Sequence, residues 1–452
     1  MLRPFSSPRL AAPLVAPPVA PLAIQFAALF VALLALAGCA RLPTPPIQRA
    51  PADAPAPGTA NCPPAATAPT ITATCPVCAP CAVCPVCPEA PKPEVPAAKP
   101  LAPATWEDLP GWREDNLAPA FEALLTGCAR LTRQPLWQPV CAAAAEVSDR
   151  QPAAVRAWFE ARFQPWALVN PDGSREGLVT GYYEPILKGS RQRSTRYPYP
   201  LYGPPDDLIV VDLAELHPEL KHLRLRGRLE GRKLVPYYSR AEWSEQESKR
   251  SPKALIWIDD AIDLFFMQIQ GSGQIQLADG SRVRINYADQ NGHPYRSIGR
   301  WLLDQGELEP GQASMQGIKA WARAHPQRLT ELLNTNPSLV FFRELPAEAM
   351  AAPGPIGALG VPLTPERSIA IDPRTIPLGA PVYLATTRPN SEQALTRLML
   401  AQDTGGAIRG VVRADFYWGS GGDAGSQAGR MRQPGRMWLL LPRGHVPDNA
   451  AP

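Results

Sequence analysis

The sequence predicts a mainly β fold of the α+β class, with helices opening its folded part and a long unfolded segment ahead of them. Three observations carry this. The 56 prolines of the 452 residues are unevenly spread, so the folded part is shorter than the chain. Apolar residues recur at helical spacing where the folded part begins, and short strand-like runs separated by Gly and Asn turns fill much of the remaining chain. A net charge of +4, with both signs interspersed, gives no electrostatic footprint for nucleic acid, and no nucleic-acid partner is expected.

The N-terminus carries an address. Arg3 and Arg9 precede "LAIQFAALFVALLALAGC", Leu22 to Cys39, in which Gln25 is the one polar side chain. A basic segment followed by an apolar one reads as a secretory signal, residues 1–38. Its ending, "LAGC", resembles the lipobox of bacterial lipoproteins, in which the thiol is acylated and cleavage leaves the cysteine as the new N-terminus. Cys39 is therefore the expected lipidation site, with a transmembrane anchor the alternative. Ala40 and Arg41 in place of an acidic pair favour sorting to the outer membrane, facing the periplasm.

Residues 39–105 read as a disordered tether, because a stretch dominated by Ala and Pro buries too little apolar surface to fold. Fully extended, it would reach on the order of 200 Å. After Cys62, the run "CPVCAPCAVCPVC" sets Cys75, Cys78, Cys81, Cys84 and Cys87 at a three-residue period. In a polyproline II helix these thiols would align along one edge about 9 Å apart, too far for neighbours to bridge. Internal disulfides through reversed loops, inter-chain disulfides and a metal cluster all stay open. Zinc is the weakest, because no folded knuckle or histidine accompanies the repeats. An oxidising compartment favours disulfides of unknown connectivity.

Folding is expected from Trp106. "EDNLAPAFEALLTGCARL" and "AAVRAWFEARF" show helical spacing. Cys128 and Cys141 flank a short loop and are expected to form a disulfide, with two buried free thiols the alternative. "GLVTGYYEPIL", residues 177 to 187, has strand propensity before a helix-incompatible Glu-Pro step. The segment from Lys253 to Tyr295 reads as strands with turns at "ADG" and "QNGH". "YRSIGRWLLDQGEL", capped by Ser297, and "QGIKAWARAHPQRLTELLN" read as helices. The last hundred residues return to strands and turns.

No P-loop, dinucleotide fingerprint, H-E-x-x-H or G-x-S-x-G motif occurs, and the five histidines are scattered without zinc spacing, so no metal and no cofactor is expected. Carboxylates remain. Asp372 precedes Pro373 and reads first as a turn former, and Asp403 in "DTGG" can also shape a turn. Asp415 in "ADFYW" has the weakest structural reason to be there. Flanked by Phe416, Tyr417 and Trp418 it would be partly desolvated, which raises a carboxyl pKa toward the range a general acid needs.

In this order, "VTGYYEP", "QIQGSG", "NGHPYRSIGR", "IDPRTIPLG" and "DTGGAIRGVVRADFYWGSG" resemble the membrane-bound lytic murein transglycosylase A family, a glycoside hydrolase family 102-like group with a C-terminal three-aspartate (3D) domain. The resemblance spans about residues 106 to 443. It implies cleavage of the β-1,4 bond between N-acetylmuramic acid and N-acetylglucosamine in peptidoglycan without water, leaving a 1,6-anhydro ring. It also implies a double-psi β-barrel with a smaller β-barrel inserted in mid-chain and a glycan groove between them. The parts expected are helices in 106–200, the insert in 201–325, the main barrel in 326–445 and a tail at 446–452.

Carried over by residue, the acid falls on Asp415, with Asp403 and Asp372 the other aspartates of the motif. Thr180, Gly181, Tyr182, Tyr183, Gln268, Gln270, Gly271, Ser272, Gly273 and Gly405 are the expected substrate-binding residues. Peptidoglycan strands are the expected partner, and cell-wall synthesis proteins are candidate ones. One carboxyl suffices for attack by the sugar's own C6 hydroxyl, since it can protonate the leaving oxygen and then accept the O6 proton. A hydrolytic glucanase on the same barrel, with Asp403 or Asp372 as base, and a non-catalytic peptidoglycan-binding lipoprotein are the alternatives.

Overall fold

The computed structural model describes residues 99–220, 223–250 and 252–450. Cys39, Cys62 and the ladder from Cys75 to Cys87 lie outside the described residues.

The chain starts with β1 (Leu101–Pro103), which pairs antiparallel with β2 (Phe163–Leu168). Between them lie α1 (Ala118–Leu131), α2 (Gln138–Ala145) and α3 (Pro152–Arg162). Phe121, Leu124, Cys128 and Leu131 recur every three or four residues on α1, so one face of the helix is buried. Cys128 and Cys141 form a disulfide joining α1 to α2. Ahead of α1, Asp115 sits in a buried fork with Arg367.

Next, β3 (Gly177–Glu184) runs across Pro185 into β4 (Ile186–Ser190) and β5 (Tyr199–Tyr202). A side sheet comes after, made of β6 (Ile209–Val210), β7 (Arg226–Glu230) and β8 (Lys233–Pro236). Then come α4 (Arg240–Arg250), β9 (Ala254–Ile258), α5 (Ala261–Gln270), β10 (Ser272–Leu277) and β11 (Arg282–Gln290). Helices α6 (Ile298–Asp304), α7 (Met315–Ala324) and α8 (Leu329–Asn334) lead to β12 (Val340–Glu344). Six of these strands form the insert sheet in the order β12-β11-β10-β4-β9-β5, and β12 curls back toward β5. Leu187, Leu201, Ile256, Ile258, Ile275, Ile285 and Phe342 fill the small barrel.

The last stretch supplies β13 (Ser368–Ile371), β14 (Pro381–Thr387), β15 (Ala394–Thr404), β16 (Arg413–Ser420), α9 (Gly421–Ala428) and β17 (Arg432–Pro442). Together with β3 these strands close a six-membered ring, β17-β14-β15-β13-β16-β3, in which β3 pairs back onto β17. β3 runs parallel to β16, and β13 parallel to β15, within an otherwise antiparallel ring. This is the mainly β architecture the sequence predicts, with the two barrels the resemblance implies, but the insert is wider than the expected 201–325, because β4 and β12 complete its sheet. The main core is chiefly apolar, with Val179, Ile369, Val382, Leu398, Phe416 and Leu439 fully or almost fully buried, each contributing about 1.5–3 kcal/mol from burial.

Two helices depart from the sequence reading. α5 sits inside a run read as strands, because Asp260 caps it through Ile262 N and Asp263 N and Gly271 ends it at φ 78°. α9 forms in a glycine-rich stretch, where packing overrides propensity: a Cβ at Gly425 would come within 2.6 Å of the Tyr183 ring. The Ser297 cap expected for α6 is present, its Oγ accepting from Arg300 N at 3.1 Å.

Candidate active site

Strand β13 is the ruler of the site. Ala370 lies opposite Asp415 on antiparallel β16 and opposite Asp403 on parallel β15, so the two aspartates flank one residue from either side. Their backbones are two strand spacings apart, about 10 Å. Alternation along β16 sends Ala414, Phe416 and Trp418 into the main core. Asp415 and Tyr417 therefore take the other face, where Tyr417 meets Tyr182, Leu363, Ala370 and Ile408.

Parallel pairing of β3 with β16 puts Thr180 opposite Asp415 and Tyr182 opposite Tyr417. Thr180 Oγ1 donates to Asp415 Oδ1 at 2.6 Å and accepts from Arg413 Nη2 at 2.9 Å. The arginine occupies the hydroxyl's acceptor side, so the threonine proton is committed to Asp415. Tyr182 donates its hydroxyl to Asp403 Oδ2 at 3.1 Å, while the amides of Ala358 and Thr404 donate to Oδ1, each at 2.9 Å.

These surroundings set the charges. Burial pushes the Asp415 carboxyl up from its ordinary value, against the Thr180 hydrogen bond and the positive charge of Arg413. Burial is also the main cause at Asp403, which is pushed up to about 6 with a further contribution from the Asp415 charge, against the two amides and Tyr182. Burial and both carboxylates push the Tyr182 phenol well above its ordinary range, which keeps it a donor. Both aspartates are of intermediate exposure as whole residues.

Asp372 behaves oppositely. Burial alone would raise it, but the Arg374 guanidinium and the amides of Gly410 and Arg374 outweigh burial and hold it at about 2. It has no exposed surface, and its Oδ2 accepts from Gly410 N at 3.0 Å. Asp372 thus anchors the loop that runs from Asp403 to Asp415, and it is a permanent anion, unsuited to giving up a proton.

The other residues expected at the site divide between two faces. Thr180 and Tyr182 lie with the aspartates. Gly181 and Tyr183 point the other way along β3: a Cβ at Gly181 would be 2.7 Å from Trp418 Nε1, and Tyr183 lies under α9. Gln270 Oε1 accepts from Tyr183 N at 2.9 Å, tying the end of α5 to β3. Gly271 is the left-handed cap of α5, and Ser272 and Gly273 are buried in β10, where a Cβ on Gly273 would strike Met267. Gln268 is partly buried on α5, and Gly405 turns the chain after Asp403 by accepting from Ile408 N.

Sequence reasoning missed Arg413 and a buried cluster at the next residue on the Thr180 face of β3. Glu184 accepts from Arg284 Nε at 2.7 Å, Gln274 Nε2 at 2.8 Å and Ser420 Oγ at 2.5 Å. The available signal was parity, since 180, 182 and 184 must share a face on a strand.

Comparison with known proteins agrees with this fold. A family model described as the MltA specific insert domain matches residues 178–343, and one described as the 3D domain matches residues 367–441. The membrane-bound lytic murein transglycosylase A of Escherichia coli is 34% identical over 283 residues, covering 61% of this chain and 68% of that protein. A crystal structure of MltA from Neisseria gonorrhoeae shares 40% identity at TM-score 0.67, covering 80% of this chain and 100% of that one. Escherichia coli MltA with bound chitohexaose shares 27% identity at TM-score 0.56, covering 78% of this chain and 97% of that one.

Proposed function

The chain belongs to the membrane-bound lytic murein transglycosylase A family, and on that premise we propose that Asp415 is its single general acid and base. The protein is a lytic transglycosylase of peptidoglycan, cutting the bond between N-acetylmuramic acid and N-acetylglucosamine without water. One observation carries the role of Asp415: its carboxyl is desolvated, raised, and fixed by a hydroxyl that Arg413 commits to it.

With Thr180 donating to Oδ1, a proton on the Asp415 carboxyl is free to face the glycosidic oxygen. That proton passes to the leaving sugar as the C1–O4 bond breaks. The muramoyl C6 hydroxyl then closes on C1, and the Asp415 carboxylate takes the O6 proton, which restores the acid. Asp403, held as an acceptor by Tyr182 and two amides, places a negative charge beside the developing oxocarbenium ion. Digestion of purified murein followed by mass spectrometry tests this. Muropeptides lighter by one water than hydrolysis products are expected; reducing ends would establish a hydrolase using Asp403 as base, and intact sacculi a binding protein.

We read the N-terminal region as a lipid anchor at Cys39 in the outer membrane, with the Pro- and Ala-rich stretch after it as the tether that lets the enzyme search the wall; the tether ends before Leu101 rather than at residue 105, because β1 pairs with β2 and buries Leu101. The support is the apolar segment ending in "LAGC" and the membrane-bound relatives. Fatty-acid label should enter the wild-type protein, and its persistence in Cys39→Ala would sink the anchor.

A further inference from the structure

The second hairpin strand of the inserted barrel reaches back into the chain that serves the two aspartates. After β12 the chain returns to the main barrel through residues 345 to 357, and β11 grips this return. Arg284 Nη1 donates to Ala352 O and Gly354 O, both at 3.1 Å, while its other guanidinium nitrogens hold Glu184 at the outgoing crossover. Two residues along β11, Asn286 closes a two-bond ring on Ile356: Nδ2 donates to Ile356 O and Oδ1 accepts from Ile356 N, both at 3.0 Å. Arg284 and Asn286 are 3% and 5% exposed, so these bonds form away from competing water.

Beyond the ring the chain turns, with Gly360 N donating to Gly357 O. Ala358 N then donates to Asp403 Oδ1, and Leu359 N to Gln402 O at 3.0 Å. A Cβ at Gly357 would lie 2.5 Å from Gln402 O, so the close approach requires glycine there. A continuous path therefore runs from β11 of the insert to the carboxyl of Asp403, two residues beyond the Asn286 ring.

We propose that Asn286, supported by Arg284, is a positioning residue of the insert that keeps the Ala358 amide on Asp403. This rests on the reading of the Asp403–Asp415 face as the active site. It makes the insert part of the catalytic electrostatics. The groups facing Asp403 are Tyr182 and the Thr180-bound Asp415 from their strands, Tyr417 from β16, and the amides of Ala358 and Thr404. Among them, the Ala358 amide is the one that the insert holds.

The test uses the full-length protein and two single variants with their double. Asn286→Leu removes both bonds to Ile356 at similar volume. Ala358→Pro removes the amide hydrogen at the second position of a turn, where proline is favoured. Each is expected to lower kcat about tenfold, the factor carried by one hydrogen bond to a charged group, with KM unchanged within about twofold. Carbon-13 titration of Asp403 should move to higher pH in both, because a donor that favours the carboxylate is lost. The double variant should be no worse than either single one. Additive losses, or an Asp403 titration unmoved in Asn286→Leu, would overturn the proposal. If Asn286→Leu fails to fold, Ala358→Pro with a wild-type titration overturns it alone. Shifted titration with unchanged kcat would uphold the positioning and fail the catalytic reading of Asp403 instead.

Discussion

Asp415→Asn is expected to lower kcat by about 10²–10⁴-fold, the range a positioned general acid supplies, while glycan affinity changes by less than about twofold. The amide is isosteric, and its Oδ1 still accepts from Thr180, so the pocket keeps its shape. What it lacks is a proton to give and a lone pair basic enough to take one back. The two halves of the reaction therefore fail together, which separates this residue from one that only orients substrate. Release of anhydro products gives kcat and calorimetry on a glycan oligomer gives affinity; near wild-type turnover would move the acid role to Asp403.

The same variant has a stability signature of opposite sign. Burial raises the folded-state pKa of Asp415 above its unfolded value, so its ionised form opposes folding once the pH exceeds that value. A neutral Asn carries no such penalty, and the melting temperature at neutral pH should be equal or higher. In the wild type, Asp403 at about 6 predicts the acid limb of the pH profile. Its three donors favour the carboxylate, so activity should fall as the pH drops through 6.

How much of this could be read from sequence depends on the range of the interaction. α1 and α3 were legible because apolar spacing is local, and Ser297 because a cap reaches only three residues. That Asp415 lies on a strand rather than in a turn was legible because no Gly or Pro follows it until Gly419. α5 was not, since ten mostly apolar residues fit a buried strand as well as a helix, and only Asp260 and Gly271 decide between them. Tyr183 and Tyr182 look equivalent in "GYYEP", yet strand parity sends one under α9 and the other to Asp403. Glu184 and Arg284 are a hundred residues apart, and nothing local announces that the β3–β4 crossover and β11 will meet.

The buried fork between Asp115 and Arg367 gives the largest stability effect. Arg367 Nη1 and Nη2 donate to the two Asp115 oxygens at 2.9 and 2.8 Å, and both side chains are 4% exposed. Asp115→Ala leaves a guanidinium charge in a site closed to water, which costs about 3–5 kcal/mol. For a folded region of this size the melting transition should drop by roughly 4–7 °C. Replacing both partners with apolar residues can be neutral at a simple ion pair, but here it should recover less than half of the loss. Arg367 also donates to Leu398 O at 3.0 Å and Asn116 O at 2.8 Å, and Asp115 accepts from Leu398 N at 2.7 Å. The pair Asp115→Leu with Arg367→Met strands the two buried backbone groups of Leu398, each costing about 1–3 kcal/mol. Calorimetric melting of the single and double variants decides the matter. A double variant as stable as wild type would show that the fork contributes charge complementarity alone, and that β15, which carries Asp403, is held in place without it.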